Sequence, residues 1–306
     1  MTTIGNRYPP GSYKQQQDFY DVKPEEDRLC GVVFQQDASG QMRPLKWSGE
    51  TSHETGPGGP DIGPEAVARD TVLITVDGIH QSFEEHQRQI HELLHEGSDL
   101  GVAWPADVIG IHEGSGTTIL HDSARQAGNL LALKSAEAGL MPPAWAESKI
   151  FANDPAVKAV RDQVQQCLDN GRKVILMTHS GGGIESALAL ALLAGQGNGA
   201  YKEAIGSRVR VLSLASGVAR EDFEAAGVKR DNIYYTGSRT DLAWQLAKQF
   251  LPDGLGAALK GIYYWADGAP SEEILAHSPD YLFAANGTES IKAFLDGGPG
   301  GYFEVP

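Results

Sequence analysis

The sequence predicts an α/β fold: a mostly parallel central sheet with helices on both faces and an N-terminal antiparallel hairpin. Three observations predict it. From residue 71 onward, apolar runs of strand length alternate with stretches of helical periodicity, the pattern of a parallel sheet covered on both sides. Before that, two β-prone runs flank the turn-like Asp37-Ala38-Ser39-Gly40, which reads as a hairpin. The third is the run Val174-Ile175-Leu176-Met177-Thr178-His179, which stops at Ser180 and the glycines 181, 182 and 183 before a buried helical stretch. Such a stop is a strand-to-helix corner.

Taken in order, residues 1–28 are polar, carry Pro9 and Pro10, and read as a peripheral or poorly ordered N-terminal extension; residues 29–306 read as one domain. Leu29–Phe34 and Met42–Trp47 form the arms of the hairpin. A Gly/Pro-rich connector, 49–64, is too polar to be core. Strands are then expected at Thr71–Val76, Asp107–Ile111, Lys173–His179, Arg208–Ala215, Asn232–Thr236 and Gly261–Trp265. Between them, Asp154 and Pro155 read as the cap and first turn of a helix. Val157, Val160, Val164, Cys167 and Leu168 recur on its apolar face until Gly171 ends it. Ile184, Ala187, Leu188, Leu190 and Ala191 to Leu193 place another helix directly after the serine corner, and Ile291, Phe294 and Leu295 mark the last. No internal repeat is present.

Composition narrows the function. The chain has 306 residues, 41% of them hydrophobic, enough to bury a core, and a formal net charge of −15. That balance argues against nucleic acid or an anionic membrane surface as partner. Cys30 and Cys167 are too few for a disulfide framework and lack metal spacing. The N-terminus lacks a secretory pattern, and the longest apolar run, Ala187–Ala194, is too short to span a bilayer. A cytoplasmic protein, or one exported without a cleaved signal, is expected. Nothing specifies a protein partner or a cofactor.

The chemistry centres on Ser180. A serine on a strand-to-helix corner projects its hydroxyl clear of the sheet, and the glycines beside it allow a sharp turn and close packing. The Gly181 amide falls beside the serine oxygen at a helix N-terminus, where partial positive charge collects. The glycines are not followed by Lys and do not show Gly-x-Gly-x-x-Gly spacing, which disfavours a nucleotide loop. A serine hydroxyl needs a histidine to take its proton and a carboxylate to orient that histidine. Asp241 follows the strand Asn232–Thr236, at the edge where open α/β sheets bind ligands. Asp267 is its rival, and a helix cap is the alternative role for Asp241. His277 lies in a turn before Pro279. The strand Thr71–Val76 ends in Asp77-Gly78-Ile79-His80, where a second oxyanion amide is expected from Ile79 first and His80 second.

The chain order Ser180, Asp241, His277, the elbow Thr178–Gly182 and the Gly78–His80 strand end resemble the α/β-hydrolase superfamily, in its bacterial lipase or esterase-like branch. The resemblance implies an α/β-hydrolase fold over residues 29–306, with Ser180 as nucleophile, His277 as general base and acid, and Asp241 as the orienting carboxylate. It implies acyl transfer to water and no metal. Thr178 departs from the pattern: the family's Gly-x-Ser-x-Gly has glycine there, so the facing helix must leave room for a methyl group. A hydrolase-fold binding protein without turnover, or a secreted antibacterial lipase effector, are the alternative readings.

Two histidine groupings compete for attention. His91-Glu92-Leu93-Leu94-His95 spells the His-Glu-x-x-His zinc motif. On a helical wheel, however, Phe83, Ile90, Leu93 and Leu94 form the apolar stripe, and His91, Glu92 and His95 fall outside it, facing water. His112, His121 and Asp122 form a looser group beyond the strand Asp107–Ile111, placed to line a cleft. His179 alternates to the opposite side of its strand from Thr178 and reads as a packing or hydrogen-bonding residue. The substrate is expected to be a small-molecule or lipid ester. Residues 242–264, with Trp244, Leu246, Phe250, Leu251 and Leu255, would supply an apolar cap.

Overall fold

A computed structural model describes residues 30–36, 42–44, 71–78, 83, 86–91, 94, 104–105, 107–113, 119–140, 150, 154–238 and 288–305. The strands are β1 (Val33–Gln36), β2 (Met42–Pro44), β3 (Thr71–Val76), β4 (Asp107–Ile111), β5 (Lys173–His179), β6 (Val209–Leu214), β7 (Ile233–Ser238) and β8 (Gly301–Val305). They form one sheet in the order β2-β1-β4-β3-β5-β6-β7-β8. From β4 to β8 every pairing is parallel, whereas β1 runs antiparallel to both β2 and β4. The expected hairpin and mostly parallel sheet are therefore present.

The helices are α1 (Ile119–Glu137), α2 (Pro155–Asp169), α3 (Gly182–Ala194), α4 (Ala200–Arg208), α5 (Arg220–Ala225) and α6 (Thr288–Leu295). The segment carrying Phe83, His86–His91 and Leu94 is also helical. Strand register sorts these elements onto two faces. Thr75, Met177, Leu212 and Tyr234 are aligned across β3, β5, β6 and β7 and share one face. On it, Thr75 contacts His86, and Tyr234 meets Ser290 and Phe294 of α6. Val76, Thr178, Ser213 and Tyr235 share the opposite face. There the Tyr235 hydroxyl donates to the carbonyl of Val218, just before α5.

The local reasons match the sequence. Asp154 caps α2, its carboxylate accepting from the amides of Ala156 and Val157 at 3.0 and 3.2 Å. Val157, Val160, Val164 and Leu168 are buried along one side, each burial contributing about 1.5–3 kcal/mol before entropy costs. Helix α3 is apolar nearly all round and almost wholly buried, as a helix wedged between sheet and neighbouring helices must be. It packs against both α1 and α2.

Several boundaries differ from expectation. The first strand starts at Val33 rather than Leu29, because Cys30 and Gly31 form a turn. Phe34 then lies opposite Gly110, where a missing side chain leaves room for its ring. The strand expected over Asn232–Thr236 continues through Gly237 and Ser238. Those two residues pair with Glu304 and Val305 of β8, a strand the sequence reading missed. The expected strand Gly261–Trp265, the hairpin turn 37–40, the extension 1–28, the connector 49–64 and the cap segment 242–264 lie outside the described residues. Among the described residues, no helix is long and apolar enough to cross a membrane.

Candidate functional site

Ser180 closes β5 and opens the turn into α3 with φ +50. A non-glycine residue in the left-handed region costs on the order of 1–3 kcal/mol and persists only where its surroundings hold it. Here three backbone hydrogen bonds do so. The Ser180 amide donates to Leu214 O at 3.2 Å, while its carbonyl accepts from Gly183 N at 3.1 Å and Gly217 N at 2.8 Å. The corner is thus fastened to the end of β6 and to the loop beyond it. Ser180 is half-buried, between buried His179 and buried Gly181.

Two glycines set how closely this corner approaches β3. A Cβ on Gly182 would stand 2.8 Å from Val76 O and nearer still to Asp77 O. A Cβ on Gly78 would stand 2.7 Å from Ser180 Cβ and 3.4 Å from its Oγ. The backbone after β3 therefore runs directly past the serine side chain, where the oxyanion strand end was expected. Gly181 caps α3 and belongs to the first turn, whose amides have no intrahelical acceptor. Ile79, His80, Asp241, Asp267 and His277 lie outside the described residues.

Thr178 is fully buried on β5, between Val76 of β3 and Ser213 of β6. The close strand-to-helix contact is made at Gly182, two residues past the serine, so a threonine methyl at 178 fits without opening the corner. His179 faces the other side of the strand, as its alternation predicts, and its ring nitrogen Nδ1 lies 3.1 Å from where a Gly78 Cβ would be.

Behind α3 is a buried charged cluster that sequence reasoning missed. The Gln126 side-chain amide donates to Glu113 Oε1 at 2.5 Å and to Glu185 Oε1 at 2.9 Å. Arg125 donates to Glu113 Oε1 at 2.8 Å and stands 3.9 Å from Glu185 and 3.8 Å from Asp154. Burial pushes both Glu113 and Glu185 well above the ordinary carboxylate range, and Arg125 only partly offsets it. Glu185 sits in the first turn of α3, coupling this cluster to the serine helix. The side chains come from a strand end, α1 and α3, so no local spacing announces them.

On the opposite face, Asp77, His86 and His112 converge, all buried. His112 Nδ1 lies 2.5 Å from Asp77 Oδ2, His86 Nδ1 3.3 Å from the same oxygen, and the Glu113 amide donates to Asp77 Oδ1 at 2.5 Å. Burial raises the Asp77 carboxyl, but the two histidines and these hydrogen bonds hold it below its usual value. Burial pushes His86 down to about 4, against the attraction of Asp77. His112 was expected in a looser group with His121 and Asp122; the side chain of His121 lies outside the described residues, and His112 itself contacts Asp77. Successive residues at the end of β4 alternate, so His112 turns to Asp77 while Glu113 turns to α1. A signal for the Asp77–His86–His112 cluster existed: Val76 pairs with Ile111, which makes Asp77 and His112 neighbours, and His86 falls on the Phe83–Ile90–Leu94 stripe.

The zinc-like motif is resolved as expected at the positions described. His91 is exposed, while Ile90 and Leu94 are buried. Comparison with family models, with curated proteins and with solved structures finds no match for this chain. The site's own geometry therefore carries the functional argument.

Proposed function

We propose that the protein is a serine hydrolase of the α/β-hydrolase type that cleaves carboxylic esters through an acyl-enzyme on Ser180. The observation that supports this reading best is the strained Ser180 corner: a positive-φ serine between strand and helix, tied down by three backbone hydrogen bonds. Ser180 is half-buried, and the backbone at Gly78 passes its side chain closely, so the strained residue sits where the end of β3 and the start of α3 meet.

In this reading Ser180 Oγ attacks the ester carbonyl carbon while His277 accepts its proton and Asp241 orients the imidazole. The amides of Gly181 and of Ile79 or His80 receive the developing oxyanion, and the alcohol departs with the proton from His277. Water, deprotonated by His277, then attacks the acyl-enzyme and restores the serine. The apolar residues of 242–264, such as Trp244, Phe250 and Leu251, favour lipid or other apolar acyl esters as substrates in this reading.

The test is hydrolysis of nitrophenyl esters of increasing acyl length by the full chain and by Ser180→Ala. The reading expects turnover that rises with chain length and is lost by at least about a thousandfold in Ser180→Ala. Hydrolysis unchanged in a folded Ser180→Ala protein would reject it. Absence of turnover in the wild type would favour a binding protein that kept the fold.

A further inference from the structure

We infer that Asp77, His86 and His112 form a site for one divalent transition-metal ion, zinc being the best fit. The inference does not depend on ester hydrolysis at Ser180.

Thr75 Oγ1 carries one hydrogen, which it directs to Ile109 O at 3.4 Å. Its contact with His86 Nε2, at 3.3 Å, must then use the hydrogen of the histidine. With Nε2 protonated, neutral His86 presents a bare lone pair at Nδ1. That atom is buried, makes no hydrogen bond, and faces Asp77 Oδ2 at 3.3 Å. Asp77 cannot turn away, because its Oδ1 is held by the Glu113 amide and its Oδ2 by His112. Two buried acceptors are therefore held against each other, an arrangement that a cation between them would relieve.

The donor set suits such an ion. Two imidazoles and one carboxylate are ligands of zinc and its neighbours, at about 2.0–2.2 Å from the metal. The three donor atoms lie within 4.8 Å of one another, and they come from a strand end, a second strand end and a helix. Ligand atoms around a tetrahedral ion stand about 3.4 Å apart, so His86 Nδ1 is already at that spacing from Asp77 Oδ2, at 3.3 Å, while His112 Nδ1, at 2.5 Å, draws back once its proton is lost. His86 already shows the outer arrangement expected of a metal ligand, its second ring nitrogen donating to a hydroxyl that is itself anchored. On binding, the proton on His112 Nδ1 moves to Nε2 or to solvent, which frees that lone pair for the ion. Beside the cluster is a cavity of about 30 Å³ to which Asp77 and His86 turn, its walls otherwise mostly apolar, from Val76, Ile90, Met177 and Leu214. It has room for one water as a fourth ligand. Because Gly78 follows Asp77 and abuts Ser180, the ion would brace the backbone that passes the serine.

The experiment loads the purified full chain, stripped with chelator, with Co²⁺ and with Zn²⁺. Visible absorption of the cobalt form and competition with a chromophoric chelator give stoichiometry and affinity. The expected result is one equivalent bound, a tetrahedral or five-coordinate cobalt spectrum, and a rise in thermal midpoint with added zinc. His86→Ala and His112→Ala should each weaken binding by more than about a hundredfold. Thr75→Val, which removes only the outer hydrogen bond, should weaken it by about ten- to a hundredfold. His91→Ala, on the exposed side of the same helix, should leave it unchanged. No cobalt absorption by the wild type overturns the inference whatever the variants do. So does binding that survives both histidine substitutions in folded protein, or that is lost in His91→Ala.

Discussion

Replacing Gly182 with alanine tests the close approach that shapes the serine corner. The added Cβ would stand 2.8 Å from Val76 O, closer than that to Asp77 O, and 3.0 Å from Val76 C. Carbon and oxygen rest at about 3.5 Å, so α3 and the end of β3 must separate by at least roughly 0.7 Å. All three obstructing atoms are backbone, so no rotamer change relieves the clash. Overpacking of this kind costs about 1–3 kcal/mol, and the backbone obstruction puts Gly182→Ala at the upper end. For a domain of this size that is a fall in Tm of about 5 °C. Function should suffer more. The shift carries Ser180 relative to Gly78, and misplacement near 1 Å can cost about a hundredfold in rate. Calorimetry or urea unfolding reads the first effect, and ester-hydrolysis kcat/KM, or the labelling rate with a serine-directed probe, reads the second. A Gly182→Ala protein with wild-type Tm and wild-type reactivity would refute the packing argument.

Further outcomes follow from other parts of the fold. Gly128 lies inside α1, and a Cβ there meets nothing within 4 Å, so Gly128→Ala should raise stability by about 1 kcal/mol, seen as a small increase in Tm. Asp154→Ala removes the cap of α2 and the acceptor of Asn129. It should cost about 2 kcal/mol or more, measured as a lowered urea midpoint with an unchanged m-value. Glu185 has a raised carboxyl in the folded state, so its contribution is full below the unfolded value of about 4.5 and is lost as pH rises. Glu185→Gln should therefore gain stability relative to wild type between about pH 5 and pH 8, and parallel pH profiles would contradict that sign.

The sequence made the parallel strands, the capped helix α2 and the serine corner legible because each rests on local signals: period, cap and glycine run. Strand β8 was hidden because Gly301–Val305 is short and follows Gly297, Gly298 and Gly300, a composition that reads as a loop. Its strand state comes from pairing with β7, a tertiary cause. The Glu113–Gln126–Glu185 cluster was invisible for a similar reason. Acidic residues on a helix read as solvent-facing until the packing of α1 on α3 buries them. His86 was legible in principle, one turn before buried Ile90 on the same stripe, but the adjoining His-Glu-x-x-His pattern drew the metal question to the wrong side of that helix. The tight strand-to-helix contact is made at Gly182, two residues beyond the serine, and not at Thr178, where the sequence departs from the family pattern.

The most direct measurement is reaction of the purified protein with a fluorophosphonate, followed by peptide mapping. If the corner activates its hydroxyl, one adduct forms on Ser180, faster than on free serine, and disappears in Ser180→Ala. An unmodified peptide 173–194 after exposure at concentrations that saturate ordinary serine hydrolases would contradict the account.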